Sequence, residues 1–234
     1  MSGRATVMGK IGAGLRRGGV AARHSAPGAP NHPEISETTW PQDLLVERFD
    51  AELTAIAGRV HRAGTAGDAT DAIVGVCREH GVSRVLAWAP RWVGVPGLQD
   101  ALAAAGIDVD EGWLPDGGER TGRLAALDPV RVGITGAFAG IAGSGTIAVV
   151  SGPGRPRLAS LLVPVHLAVL RADCLYPSLA ALLAAHANVV EEGSNLVLIT
   201  GPSRTADIEM TLTRGVHGPG EIHVILVGAA ARQS

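Results

Sequence analysis

A chain of 234 residues with 46% hydrophobic side chains can bury a full core, enough for one large domain with an appendage. Its net charge of -2, with acids and bases interspersed, offers no basic stripe and excludes a nucleic-acid partner, and its longest apolar stretch, residues 159–170, holds Pro164 and His166 and is too short to cross a bilayer. Two cysteines, Cys77 and Cys174, are too few for a disulfide framework, a zinc ribbon or an iron–sulfur cluster and fit a reducing cytoplasm.

Residues 1–33 carry Arg4, Lys10, Arg16, Arg17 and Arg23 and no acid, the balance of a transit peptide. Val7, Met8, Ile11 and Leu15 recur at helical spacing, however, so the expectation is an amphipathic helix over residues 4–17 that docks on the protein or on a partner. Residues 18–39, rich in Gly, Pro and Ser, read as a flexible linker, so residues 1–39 form an extension and residues 40–234 the domain proper.

Leu45, Phe49, Leu53 and Ile56 define the next helix face, and residues 59–63 a short strand. Ala72, Ile73, Val76 and Cys77 predict a helix with Cys77 in the core, residues 85–88 a strand, residues 98–105 a helix and residues 107–109 a strand. Helices separating short strands argue for an α/β domain with a mainly parallel sheet. Strands are expected at residues 130–134, 146–150, 165–170, 195–199 and 222–227, with one helix face carrying Leu175, Leu179, Leu182 and Leu183. Cys174 opens that helix, where its thiolate would be favoured, unless it simply packs. Gly152-Pro153-Gly154-Arg155-Pro156-Arg157 reads as an exposed loop with two cations, and His223 takes the outward phase of its strand, on a solvated face.

The chemistry concentrates in Ile199-Thr200-Gly201-Pro202-Ser203-Arg204-Thr205-Ala206-Asp207-Ile208-Glu209 and the following Gly215-Val216-His217-Gly218-Pro219. An apolar strand, a break at Gly201-Pro202 and Ile208 four residues before Leu212 predict a strand, a tight turn and a helix start. Such a start leaves amide N–H groups free, Ser203 or Thr205 can cap them, and Arg204 adds a planar fork of donors, so the segment suits a small anionic ligand. The plain alternative is that the hydroxyls only cap while Arg204 pairs with Asp207 or Glu209. Thr135-Gly136 and Gly143-Ser144-Gly145-Thr146 end or precede strands, where glycine lets backbone amides approach an anion. His166 suits either a ligand or a hydrogen-bonded structural role, and His217, in a Gly-His-Gly-Pro turn, is free to titrate. No two histidines have HxH or HExxH spacing, so no protein-bound metal is expected.

These motifs resemble the LutC/YkgG family of lactate-utilisation proteins, which carry a LUD domain. The signature covers residues 199–219, with Val132-Gly133-Ile134-Thr135-Gly136-Ala137, Gly143-Ser144-Gly145-Thr146 and Leu161-Leu162-Val163-Pro164-Val165-His166 in the family's order, and looser likeness extends through residues 45–49 to residues 7–17. Where the family usually has Ala-Glu-Thr-Gly-Thr this chain has Ala142-Gly143-Ser144-Gly145-Thr146, which removes a candidate base and leaves Asp207, Glu209 or His217 for any acid–base role. The resemblance implies a three-layer α/β domain over residues 40–234, similar to the NagB/RpiA/CoA-transferase-like fold. It also implies an accessory or substrate-binding subunit in the oxidation of L-lactate to pyruvate. The iron–sulfur clusters then belong to partner proteins, and this chain binds no cofactor of its own. A stand-alone transferase, isomerase or ATP-dependent cyclo-ligase of the same fold is the alternative, as is a small-molecule sensor, because fold does not fix chemistry.

Overall fold

The computed structural model describes residues 40–189, 193–206, 212–214 and 218–229. Helix α1 (Gln42–Ala55) buries Leu45, Phe49 and Leu53 of the stripe that the periodicity predicts, while Ile56, its fourth member, follows the helix end and is half-buried. Strand β1 (Arg59–Ala63) leads into α2 (Ala66–Glu79), whose start is fixed by a reciprocal cap: Asp68 N–H donates to Thr65 Oγ1 at 3.1 Å and Thr65 N–H to Asp68 Oδ2 at 2.9 Å. Such caps are worth about 1 kcal/mol. Strand β2 (Arg84–Ala87), the short α3 (Pro90–Val93), α4 (Leu98–Ala104), β3 (Asp108–Asp110), α5 (Glu119–Leu127) and β4 (Val132–Gly136) follow. The chain continues through β5 (Ala139–Ile141), β6 (Thr146–Ser151), α6 (Leu158–Leu161), β7 (Val165–Arg171), a 3-10 turn (Ala172–Cys174), β8 (Leu175–Tyr176) and α7 (Leu179–Ala185). Strands β9 (Asn195–Ile199), β10 (Arg204–Ala206), β11 (Leu212–Arg214) and β12 (Glu221–Val227) complete it.

Six strands pair in the order β1-β12-β7-β4-β2-β3, every neighbouring pair parallel, as the alternation of helices and strands predicts. Its central strands are mostly apolar because both faces are covered, and Ile134, Leu167, Leu170 and Ile225 are fully buried, with Thr135, His166 and His223 the buried polar exceptions on β4, β7 and β12. Each such side chain contributes roughly 1.5–3 kcal/mol.

The other expected strands do not join this sheet. β8, β5, β6 and β9 form a separate four-stranded sheet, with β6 antiparallel to both β5 and β9. The helix expected after Ser203 is also overturned. Arg204–Ala206 is a strand paired antiparallel with Leu212–Arg214, so Leu212 belongs to a strand, while Ile208 lies outside the described residues. Ser203 N–H donates to the Pro219 carbonyl at 2.8 Å, and antiparallel pairing takes up donors of alternate residues in Arg204–Ala206, so this segment lacks the row of free amides that a helix start would offer.

Four smaller expectations change as well. His223 is fully buried, because β12 lies inside the sheet between β1 and β7 and has no solvated face. Of the predicted leucine face only Leu182 and Leu175 are buried, Leu175 belongs to β8, and Leu179 and Leu183 of α7 are exposed. Arg155 is buried with its guanidinium 4.1 Å from the Trp92 ring centre, whereas Arg157 stays exposed. Cys174 ends the 3-10 turn, and burial beside Asp173 pushes its thiol up, so the thiolate is disfavoured. The helix expected over residues 4–17 and the linker over residues 18–39 lie outside the described residues.

Candidate functional site

In an open parallel sheet, ligands gather beyond the carboxyl ends of the strands, where successive connections leave in opposite directions. Here that point falls between β2 and β4: the chain leaves β2 toward β3 at one edge, while β4 leads back toward β7. A groove of about 590 Å³ opens beside it, between the segment following β3 and the loop joining β6 to α6.

The first wall is held by Asp110, the buried last residue of β3. Its Oδ1 accepts from Gly112 N–H at 2.8 Å and from Arg123, and its Oδ2 from Arg84; Arg123 Nε also donates to the Trp113 carbonyl at 3.0 Å. Burial pushes the Asp110 carboxyl up, but the hydrogen bonds from Arg123, Gly112 and Arg84 together outweigh it and hold it below its usual range. A carboxylate anchored this way stays ionised and fixes the backbone carrying Glu111, Trp113 and Leu114.

The second wall is the turn at Gly152, which exchanges backbone hydrogen bonds of 3.2 and 2.8 Å with Arg155; Gly154 takes φ +71 there. It is tied to the sheet by Ala89 N–H to the Gly154 carbonyl at 2.9 Å and by Trp88 Nε1 to the Pro156 carbonyl at 3.0 Å. Arg155 stacked on Trp92 stiffens it further. Into the groove face Trp113, 70% exposed, the exposed Arg120 and Arg157, and the apolar Leu114, Leu158 and Leu161. Two guanidinium groups and an indole over an apolar floor suit a small, anionic molecule.

The residues singled out in the sequence fall in different places. Thr135 Oγ1 and His166 Nε2 are 2.9 Å apart, both fully buried on neighbouring strands, so they bond to each other inside the core. Burial pushes the His166 imidazole down to about 4, which keeps it neutral. Gly136 is needed for packing: a Cβ there would stand 2.0 Å from the Trp92 carbonyl oxygen of α3.

Ser144, Thr146 and Thr200 come together as a chain of hydroxyls, 2.7 Å from Ser144 Oγ to Thr146 Oγ1 and 2.8 Å on to Thr200 Oγ1. Gly145, at φ +59, lets this turn rest on α1, where a Cβ would lie 2.3 Å from the Leu53 amide nitrogen. Gly201, at φ +75, packs against Ile56, and Ser203 N–H donates to the Pro219 carbonyl at 2.8 Å. Arg204 and Thr205 lie in β10; Asp207, Glu209 and His217 lie outside the described residues. The groove residues Asp110, Trp113, Arg120 and Arg123 were not singled out, and no short motif marks them because their partners are brought in by sheet order. Arg157 belongs to the loop whose two cations the sequence does display.

The LUD domain family model matches residues 46–227, most of the chain. The chain belongs to the LUD domain family. Its relatives include the lactate utilization protein C of Geobacillus sp. (strain WCH70), 29% identical over 231 residues, covering 95% of this chain and 92% of that protein. The protein of the same name from Halalkalibacterium halodurans is 31% identical, covering 90% and 89%. An uncharacterized protein of Neisseria meningitidis serogroup B is 37% identical over 100 residues, 42% of each chain. A crystal structure of a DUF162 family protein from Deinococcus radiodurans has the same fold, with TM-score 0.58 and 20% identity over 81% of this chain and 99% of that one. The LUD domain here thus combines a parallel six-stranded sheet with a smaller four-stranded one.

Proposed function

We propose that this LUD-domain chain is an accessory, ligand-binding subunit of a lactate-utilisation system that oxidises L-lactate to pyruvate. It holds a small carboxylate or phosphate in the groove between Trp113, Arg120 and Arg157. The observation that carries the ligand is the pairing of two exposed guanidinium groups with an exposed indole on walls fixed by Asp110 and by the Gly152 turn. The name of the relatives supports lactate as the metabolic setting. Redox groups reside on iron–sulfur partner proteins in this reading. Cys77 is buried, with its thiol pushed up to about 11 by desolvation, and Cys174 is a second, distant thiol, a pair unfit to hold a cluster.

Calorimetric titration with lactate, pyruvate, phosphate and a nucleotide tests the site. Binding of one of these anions should weaken about 10-fold or more in Arg120→Ala and in Arg157→Ala, with only partial recovery in the lysine variants, because an ammonium lacks the bidentate fork. Loss of binding in Arg204→Ala with both groove variants intact would move the site to the segment after Gly201. Capture of cysteine-rich partners that bring iron into the complex tests the subunit role, and failure to capture any would favour a stand-alone enzyme.

A further inference from the structure

At the opposite, amino-terminal end of the parallel strands, three histidines and a glutamate converge from well-separated positions. His80 caps the end of α2, Glu221 and His223 open β12, and His61 lies in β1 beside them. Glu221 Oε2 is 3.7 Å from His80 Nε2 and 3.6 Å from His223 Nε2, and all three donor atoms lie within 4.8 Å of one another. His223 is fully buried, and neither its Nε2 nor the buried Nε2 of His80 has a hydrogen-bond partner. Two imidazole nitrogens aimed at one carboxylate oxygen are costly to leave unsatisfied.

We propose that His80, Glu221 and His223 bind one divalent cation of the zinc class, with His61 holding His223 in the ligating tautomer. A tetrahedral ion with ligands about 2.0–2.2 Å away sets its donors roughly 3.3–3.5 Å apart, so the two separations to Glu221 need to close by only a few tenths of an ångström. His61 supplies the outer contact. Its ring stacks on His223 at an interplanar angle of 8°, and its Nε2 lies 2.9 Å from His223 Nδ1. When His223 Nδ1–H donates across that contact, the lone pair of His223 must sit on Nε2, pointing at Glu221.

The surroundings agree with a cation. His80 stands at the carboxyl end of α2, where the helix dipole is negative. Arg59, 4.0 Å from Glu221, has an alternative partner in Glu79, 3.8 Å away. His80 and Glu221 also line a hollow of about 390 Å³ with Arg131, Pro164 and Gly220, which gives an ion a route from solvent. Three protein donors leave a tetrahedral ion one further position, filled by water or an anion entering through that hollow. No HxH or HExxH spacing marks this donor set, because His80 meets Glu221 and His223 only in the fold. It is not a redox centre, and it stands independently of the groove.

The test is titration of the untagged, chelator-treated full chain with Zn²⁺ against a chromophoric competitor, and with Co²⁺ read by its visible d–d absorption. The expected result is one ion per chain, a tetrahedral Co²⁺ spectrum, and affinity at least about 10–100-fold lower in His80→Ala and in Glu221→Gln, with their metal-free melting temperatures near wild type. His61→Phe should weaken binding while keeping the stoichiometry. Absence of stoichiometric binding, or binding equally tight in both His80→Ala and Glu221→Gln, overturns the site.

Discussion

Lowering the pH should destabilise the fold through His166, and the size of the effect follows from its burial. The imidazole has no exposed surface, its Nε2 sits 2.9 Å from Thr135 Oγ1, and burial moves its pKa from 6.5 down to about 4. Between those two values the unfolded chain binds a proton that the folded chain refuses, so stability falls as the pH falls. The contribution is fully present above about 6.5 and is lost progressively by about 4, below which both states are protonated. A shift of that size corresponds to about 3 kcal/mol, a substantial part of the 5–15 kcal/mol that holds a typical domain.

Because other groups titrate in the same window, the measurement is a difference. Urea unfolding of wild type and His166→Asn, followed by circular dichroism in the presence of a chelator, should show wild type losing about 3 kcal/mol more than the variant between about pH 7 and pH 4. His166→Asn should itself be less stable at neutral pH, by about 1–3 kcal/mol, because the Thr135 contact changes. Parallel curves for the two proteins would falsify the claim that the fold holds His166 neutral.

Gly145→Ala should destabilise the protein by about 2–4 kcal/mol, since the new methyl meets the Leu53 backbone at 2.3 Å and φ is +59; calorimetric melting measures it, and a loss below about 0.5 kcal/mol would show that the turn does not rest on α1. Asp110→Asn removes the charge that Arg84 and Arg123 share, so a loss of about 2–3 kcal/mol and weaker anion binding are expected, whereas unchanged binding would separate the anchor from the groove. An aromatic disulfide reagent should titrate Cys174 in the folded protein and Cys77 only after denaturation, because Cys77 is buried with its thiol pushed up to about 11.

The sequence makes individual elements legible where an apolar stripe runs along one helix face. Leu45, Phe49 and Leu53 mark α1, and Ile73 with Cys77 marks α2, because each helix turns one face to the core and the other to solvent. Partner choice is less visible. Residues 146–151 and 195–199 read as apolar runs like those of the parallel sheet, and nothing in their composition says that they pair antiparallel with each other. His223 misleads for a related reason: in a strand covered on both faces, alternation carries no information about which side meets solvent. Ser203-Arg204-Thr205 offers both a helix cap and a β-branched strand residue, Thr205, and pairing with Leu212–Arg214 decides between them. The groove was the least readable part. Asp110 gains its role largely from Arg84 and Arg123, which adjoin it through strand order and the return of α5.

Helix α1 behaves as a strut shared by both sheets. Gln42 donates to the Ala172 carbonyl beyond β7, Asp50 pairs with Arg62 of β1 at 2.8 Å, and Leu53 and Ile56 underlie Gly145 and Gly201 at the end of the smaller sheet. The family model begins at residue 46, inside this helix. A protein trimmed to that limit would lose the first turn of the strut, with the buried Leu45 and the Gln42 tether. For crystallisation or for any graft of this domain into another protein, the cut therefore belongs ahead of Trp40, which packs against the same core.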